Sequence, residues 1–214
     1  MPTLHDMEDE DFVRRFDEMQ ISMDRLWPGR SRRRLFSQLR GHVLEVGAGT
    51  GNNLRYYEKA DRVTAVEPNP VMVDFMKERA QSVGYWVEVV QGSADPVPLP
   101  ANSVDVVVYS LVLCLVPDAA KALGEARRVL RPGGRIAFLE HVAARGPLGL
   151  LQRRLEPWHM RNAAGCELRR DTVGTIRDAG FEITALYRHH PFFNPPWVAP
   201  VVEGFARLPA GTTG

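Results

Sequence analysis

Strand-like and helical segments alternate along the chain from residue 42, and this alternation limits the fold more than any other feature. Five apolar runs predict strands, at 42–46, 62–66, 86–90, 104–109 and 135–139. Helical patterns lie between them, at 52–59, 70–82 and 118–129. Strands that alternate with helices form a parallel, doubly wound sheet with right-handed crossovers. The sequence therefore predicts an α/β fold with helices on both faces.

The segments on either side of this alternation complete the predicted organisation. An apolar stripe predicts an N-terminal helix over 11–27, followed by a short helix around Leu35–Leu39. Residues 142–170 break the alternation and are predicted to be an insertion, helical at 148–155. A helix at 171–179, a strand at 181–188 and a strand at 198–207 follow. Because no helix connects the last two strands, we expect the final strand to pair antiparallel.

Composition excludes several classes of function. The net charge is +1, from 27 Lys and Arg against 26 Asp and Glu, so no global field favours nucleic acid. The two cysteines form no CxxC pair, and we expect neither a disulfide scaffold nor a bound metal. The longest apolar run, Val106–Val116, is too short for a transmembrane helix, which needs about 20 residues. The acidic N-terminus lacks the pattern of a signal peptide, so we expect a cytoplasmic protein.

The carboxyl ends of the predicted strands carry the candidate chemistry, because open α/β sheets bind ligands there. The first strand ends in the glycine-rich stretch Gly47–Gly51, which lets the backbone approach a ligand closely. The second strand ends at Glu67, whose carboxylate can accept both hydroxyls of a ribose. Together these two features predict a site for a nucleoside-containing cofactor.

The residues of this site resemble those of class I S-adenosylmethionine-dependent methyltransferases. The matching stretches are 44–51, 66–69, 92–100, 103–107 and 129–134. The resemblance implies a Rossmann-like, seven-stranded sheet with an antiparallel last strand. It also implies S-adenosylmethionine as the cofactor, released as S-adenosylhomocysteine.

A narrower resemblance is to the small-molecule thiol S-methyltransferases of the methyltransferase-like-seven type. It lies in Leu35–Ser37, Leu111–Cys114, Glu140–Ala144, the insertion with Trp158 and Cys166, and the tail Val198–Ala206. The resemblance implies in-line methyl transfer to the thiol or dithiol of an apolar metabolite or natural product. Two alternatives stay open: O-, N- or C-methylation of a quinone or aromatic compound, and a non-catalytic cofactor-binding module.

The broader resemblance assigns cofactor contacts residue by residue. The glycines would adjoin the methionine and ribose portions, Glu67 the ribose hydroxyls, and Ser110 with Leu111 the sulfonium end. Ser93 stands where many relatives have Asp, which leaves Asp95, or no residue, for the adenine amino group. The expected cofactor-binding residues are Glu45, Gly47, Gly49, Gly51, Glu67, Pro68, Asn69, Ser93, Ala94, Asp95, Ser110 and Leu111.

Two histidines are the candidate catalytic residues. His141 ends the fifth predicted strand, where it can orient or deprotonate an acceptor, or can simply hydrogen-bond a loop. His159 lies in the insertion, and its alternative is a surface histidine. A thiol has a pKa of about 8.5 and is partly ionised at neutral pH, so a strong base is optional. Cys114 and Cys166 are expected to be small buried apolar residues.

These assignments divide a single domain of residues 1–214 into four parts. Residues 1–40 are expected to form a helical lid, and 41–141 the cofactor-binding half. Residues 142–170 are expected to cap the acceptor, and 171–214 to supply a C-terminal helix and strand pair.

Overall fold

Seven strands form one sheet in the computed structural model of the protein, which describes residues 9–25, 28–163, 165–191, 195–198 and 200–209. The strands are β1 (His42–Val46), β2 (Arg62–Glu67), β3 (Val87–Gln91), β4 (Val104–Ser110), β5 (Leu130–His141), β6 (Glu182–His189) and β7 (Val201–Arg207). Their order is β3-β2-β1-β4-β5-β7-β6. Strands β1 to β5 pair in parallel, and β7 runs antiparallel to both β5 and β6. The predicted α/β sheet with an antiparallel last strand is confirmed.

The described residues form six α-helices, most of which begin at a side chain that caps the first turn. They are α1 (Glu10–Asp24), α2 (Pro28–Phe36), α3 (Pro70–Ser82), α4 (Ala119–Val129), α5 (Gly146–Asn162) and α6 (Thr172–Asp178). The side chains of Asn69, Asp118 and Asp171 accept backbone N–H groups at the starts of α3, α4 and α6. No helix in the described ranges has both the length and the apolar content of a bilayer span.

Strand β4 is apolar on both of its faces from Val106 to Tyr109. Its alternate residues enter different cores: Val107 and Tyr109 join the cluster on one face, and Val106 and Val108 join the cluster on the other. All four are almost completely buried. A parallel sheet covered by helices on both faces needs such an uninterrupted apolar strand. This burial fixes the carboxyl ends of β1, β2, β4 and β5 along a common edge.

The structure corrects four predicted helix boundaries. The short helix expected around Leu35–Leu39 is α2, which begins at Pro28 and ends at Phe36. The helix expected at 52–59 is a single 3-10 turn, Leu54–Tyr56, because Gly51 and the asparagines after it favour turns over helix. The insertion helix is longer than expected, since α5 continues through Pro157 to residue 162. Helix α1 ends at Asp24 rather than 27, and Trp27 lies outside the described residues.

Candidate active site

The glycine loop between β1 and the 3-10 turn adopts backbone angles that favour glycine. Gly47, Gly49 and Gly51 have φ values of +66°, +57° and +81°. A Cβ at Gly47 would lie 2.2 Å from Cγ2 of Val112, so this glycine is required by contact within the protein. A Cβ at Gly49 would meet no atom within 4 Å among the described residues. The loop therefore packs tightly at Gly47 and leaves its backbone accessible at Gly49.

Glu67 ties the glycine loop to the end of β2. Its Oε2 accepts a 2.9 Å hydrogen bond from the Gly49 N–H, and its Oε1 accepts a 3.0 Å bond from the Asn69 N–H. The side chain is 7% exposed, and this burial raises the pKa of Glu67. Each carboxylate oxygen can accept a further hydrogen bond. Glu67, which is expected to hold the ribose hydroxyls, therefore also fixes the shape of the glycine loop. Asn69, which follows Pro68, caps the start of α3.

Glu45 lies in β1, just before the glycine loop, and is buried. Its Oε1 accepts a hydrogen bond from the Asn53 amide, while its Oε2 has no hydrogen-bond partner among the described residues. Burial raises the pKa of Glu45 to about 7, although Asn53 and Tyr57 act in the opposite direction. Asn53 was not predicted. Its bond to Glu45 holds the residues that follow the glycine loop against the end of β1.

The segment after β3 lies beside Glu67. The Gly92 N–H donates a 3.1 Å hydrogen bond to the Glu67 carbonyl oxygen. A small turn follows, in which the Asp95 N–H donates to Ser93 Oγ at 3.2 Å. The side chains of Ser93 and Asp95 are exposed and Ala94 is half-buried. The structure therefore brings this predicted group to the same edge as the glycine loop.

Ser110 and Leu111 form an unusual turn at the end of β4. Leu111 has a φ of +60°, which is uncommon for a residue other than glycine, and its N–H donates to the Leu139 carbonyl at 2.7 Å. The Ser110 Oγ is buried and has no hydrogen-bond partner among the described residues. Buried hydroxyl groups normally form a hydrogen bond, so this one can bind a polar group of a ligand. Together with the accessible backbone at Gly49, this hydroxyl gives the edge free space and a polar group, which are features that binding of S-adenosylmethionine requires.

Glu140, which the sequence placed at the end of a strand without giving it a role, organises the loop after β4. Its Oε1 accepts hydrogen bonds from the N–H groups of Val112 at 3.0 Å and Leu113 at 2.9 Å. Complete burial raises the pKa of Glu140 to about 7. Because Val112 in turn packs on Gly47, this carboxyl group fixes the loop after β4 against the glycine loop. The available signal was an acidic residue ending an otherwise apolar strand.

His141 lies between two cysteines that come from distant segments. Its Nδ1 is 3.9 Å from the Sγ of Cys114 and 3.7 Å from the Sγ of Cys166. Both thiols are buried, as predicted, but their contact with His141 was not. Interactions with Cys114, His141 and His159 lower the pKa of Cys166, whereas the interaction with Cys166 raises the pKa of Cys114.

His159 is not at the surface. It is 8% exposed, and its Nε2 is buried without a hydrogen-bond partner among the described residues. Helix α5 holds it there through Gln152, whose Oε1 accepts from the Ala144 N–H at 2.7 Å. The same amide donates to the carbonyl oxygens of Val142 at 3.2 Å and Trp197 at 3.0 Å. The structure thus brings both predicted histidines to one cluster.

Comparison with known proteins shows which family the chain resembles. The methyltransferase domain model matches residues 44–138. Thiol S-methyltransferase TMT1B of Homo sapiens is 38% identical over 190 residues, which cover 82% of this chain and 77% of that protein. TMT1A of the same species is 37% identical over 170 residues, covering 77% and 69%.

The fold also matches solved structures. A S-adenosylmethionine-dependent methyltransferase from Thermotoga maritima superposes with a TM-score of 0.66 at 22% identity, over 94% of this chain and 97% of that one. The fold, the fit of the cofactor edge and the similarity to TMT1B lead to one assignment. The chain belongs to the thiol S-methyltransferase family of S-adenosylmethionine-dependent methyltransferases.

Proposed function

We propose that the protein methylates the thiol of a small apolar molecule, using S-adenosylmethionine. The observation that carries this proposal is the position of His141, at the end of β5 and beside an apolar wall. Leu168 is buried there, and Trp197 and Val198 pack against the same cluster. An apolar acceptor would bury surface against Trp197 and Val198, which are half-buried, and a thiol would reach the imidazole.

Several of the predicted cofactor-binding residues would each meet a different part of the cofactor. S-adenosylmethionine supplies a methyl group on a positively charged sulfur that is already a good leaving group. Glu67 would hold the ribose hydroxyls, and the backbone at Gly49 would lie close to the ligand. The segment Ser93–Asp95 would meet the adenine. The buried Ser110 Oγ and the turn at Leu111 would lie under the reacting end.

The protein would accelerate the transfer mainly by alignment. An in-line displacement requires the acceptor sulfur to lie opposite the leaving group, and holding two reactants in that geometry is worth up to about 7–11 kcal/mol. His141 would orient the acceptor thiol and accept its proton. Because a thiol is partly ionised at neutral pH, this proton transfer is a modest contribution. His159, next to Cys166, would complete the polar side of the acceptor pocket.

Two helical segments would close the pocket. Helix α1 would act as the lid, and α5 would cap the acceptor through its Gln152 anchor. Both break the strand–helix alternation and lie outside the sheet core.

The experiment that tests the function is a methyl-transfer assay with labelled cofactor. An alkyl thiol, a reduced cyclic dithiol, a catechol and a hydroquinone are compared side by side, and the products are identified by mass spectrometry. Thioether formation from the thiols is the expected result. Label found only in the catechol or the hydroquinone would overturn the thiol assignment. Tight cofactor binding without any product would favour a binding module.

A variant pair links the assay to the site. Glu67→Gln keeps the shape of the side chain but removes its charge, so cofactor affinity should fall about 10- to 100-fold. Glu182→Gln, an exposed carboxylate at the start of β6, is the matched control and should bind normally. Equal affinity of both variants would mean that Glu67 does not hold the cofactor.

A further inference from the structure

We propose that Cys114, His141 and Cys166 form a binding site for a thiophilic divalent cation such as Zn²⁺, with its fourth position open to the acceptor sulfur. The part of this proposal that concerns the acceptor rests on the proposed function. The ion-binding part stands on the cluster itself. Among the described residues, these three form the group of metal-ligating side chains whose ligand atoms all lie within 4.8 Å of one another.

The spacing of the ligand atoms fits a tetrahedral ion. Zn–S bonds of about 2.3 Å and Zn–N bonds of about 2.0–2.1 Å place neighbouring ligand atoms about 3.6 Å apart. The Nδ1 of His141 lies 3.7 Å from one sulfur and 3.9 Å from the other. Small shifts of the two thiols would therefore suffice to coordinate an ion. Imidazole and thiolate ligands select Zn²⁺ over Mg²⁺ or Ca²⁺, which prefer oxygen.

Hydrogen bonds outside the cluster hold its three segments together. The Glu167 N–H donates to the Cys114 carbonyl oxygen at 2.9 Å, which joins the two cysteine-bearing loops directly. The Arg170 guanidinium donates to the carbonyl oxygen of Val116 at 2.8 Å and also to that of Leu113. The Ala143 N–H, just beyond His141, donates to the Arg170 carbonyl at 3.3 Å. The loops are thus positioned independently of any ion.

The surroundings of the cluster suit a catalytic ion better than a structural one. Structural zinc sites have four protein ligands, whereas catalytic sites have three and an open position. His141 is only half-buried, so the cluster is accessible from one side, while Leu168 and Trp197 exclude water on the other. His159 borders Cys166 with a nitrogen that has no partner among the described residues. This imidazole can support the sulfur ligand from outside the coordination sphere.

The chemical consequence concerns the acceptor. With His141 engaged as a ligand, the acceptor thiol would release its proton to water on binding rather than to this histidine, and its sulfur would become the fourth ligand. A metal-bound thiolate persists at a pH where most of the free thiol is protonated. The sulfur would then form the new S–C bond, the methyl–sulfonium bond would break, and its electron pair would stay on the cofactor sulfur. The neutral thioether product binds the ion weakly and would leave.

The test is metal binding by the full chain, produced without a polyhistidine tag. Elemental analysis of zinc-supplemented, dialysed protein should find about one zinc per chain. Titration of the reduced apoprotein with Co²⁺ should give the intense visible bands of a tetrahedral site and a sulfur-to-cobalt charge-transfer band. Cys166→Ser and His141→Ala should lose these signals. His190→Ala, an exposed histidine, is the control and should keep them.

Several results would overturn the site, and none depends on turnover. Reduced, folded wild-type protein that binds neither zinc nor Co²⁺ would overturn it, as would a cobalt spectrum unchanged in Cys166→Ser. A disulfide between Cys114 and Cys166, with no metal bound after its reduction, would instead indicate a redox pair. Addition of an alkyl thiol should shift the cobalt bands. An unchanged spectrum would mean that the acceptor sulfur does not bind the ion. Thiol methylation by metal-free protein would keep the proposed function and reject the ion's part in it.

Discussion

Arg79 of α3 donates a 2.8 Å hydrogen bond from Nη2 to Oδ2 of Asp17 on α1, directly beside the glycine loop. The Arg79 Nη1 also donates to the Thr50 carbonyl oxygen at 2.7 Å, and the Thr50 hydroxyl donates to Asp17. The two charged side chains are largely shielded from water, with exposures of 23% and 9%. The N-terminal helix is therefore attached to the cofactor edge itself.

This attachment predicts that Asp17→Asn weakens both folding and cofactor binding. The substitution leaves the Arg79 guanidinium without its counter-charge in a shielded site, which should lower the free energy of unfolding by about 1–3 kcal/mol. The substitution also weakens the hydrogen bond from the Thr50 hydroxyl, which holds the glycine loop, so the affinity for S-adenosylhomocysteine should fall. Urea unfolding and calorimetric titration measure the two effects.

The control for Asp17→Asn is the same substitution at an exposed ion pair. Asp74 pairs with Lys77 on the solvent side of α3, and both side chains are more than half exposed. Asp74→Asn should change stability by less than about 0.5 kcal/mol and leave cofactor affinity unchanged. Similar losses in the two variants would mean that Asp17 does not anchor α1.

Two glycines in the loop should respond differently to alanine. Gly47→Ala and Gly49→Ala both force alanine into a positive φ, which costs about 1–2 kcal/mol each. Gly47→Ala adds a clash with Val112 worth about 1–3 kcal/mol, so it should be the less stable variant. Gly49→Ala should lose cofactor affinity out of proportion to its stability. Thermal unfolding with and without S-adenosylhomocysteine separates the loss of stability from the loss of cofactor affinity. If the ligand stabilised wild type and Gly49→Ala equally, the cofactor would not lie close to the Gly49 backbone.

The sequence predicts the parts of this site that are local in the chain. The glycine loop, Glu67 and the apolar strand β4 each have a recognisable pattern within a few residues. The pair Asp17–Arg79 spans 62 residues, and His141 meets its two cysteines across 27 and 25. No local pattern connects such residues, because the sheet order and the packing of α1 and α5 bring them together. Glu140 is intermediate: its position was predicted, but its contact with the loop after β4 required the fold.

The buried Glu45 predicts a pH dependence of stability. Burial raises its pKa to about 7 in the folded protein, against 4.5 for an ordinary glutamate. Between these values the folded state binds more protons than the unfolded state, so the free energy of unfolding falls as pH rises. Glu45→Gln removes this titration. Relative to wild type, the variant should gain about 2–3 kcal/mol between about pH 5 and about pH 8.

Urea unfolding at both pH values measures the difference between Glu45→Gln and wild type. Taking the difference cancels the contributions of other titrating groups. Glu182→Gln, an exposed position, should show a constant difference across the same range. A constant difference for Glu45→Gln as well would mean that Glu45 ionises normally in the folded protein.

Gln152 should control acceptor binding through the position of α5. Gln152→Leu keeps the volume of the buried side chain but leaves the Ala144 N–H and the Val142 and Trp197 carbonyl oxygens without their partner. The free energy of unfolding should fall by about 2–4 kcal/mol, because these buried groups lose their hydrogen bonds. The KM for the acceptor thiol should rise more than the KM for the cofactor, because α5 carries His159 to the cysteine cluster. Steady-state kinetics below the unfolding temperature, with exposed Gln81→Leu as the control, tests this expectation. An equal rise in both KM values would show that α5 supports the whole domain rather than the acceptor pocket.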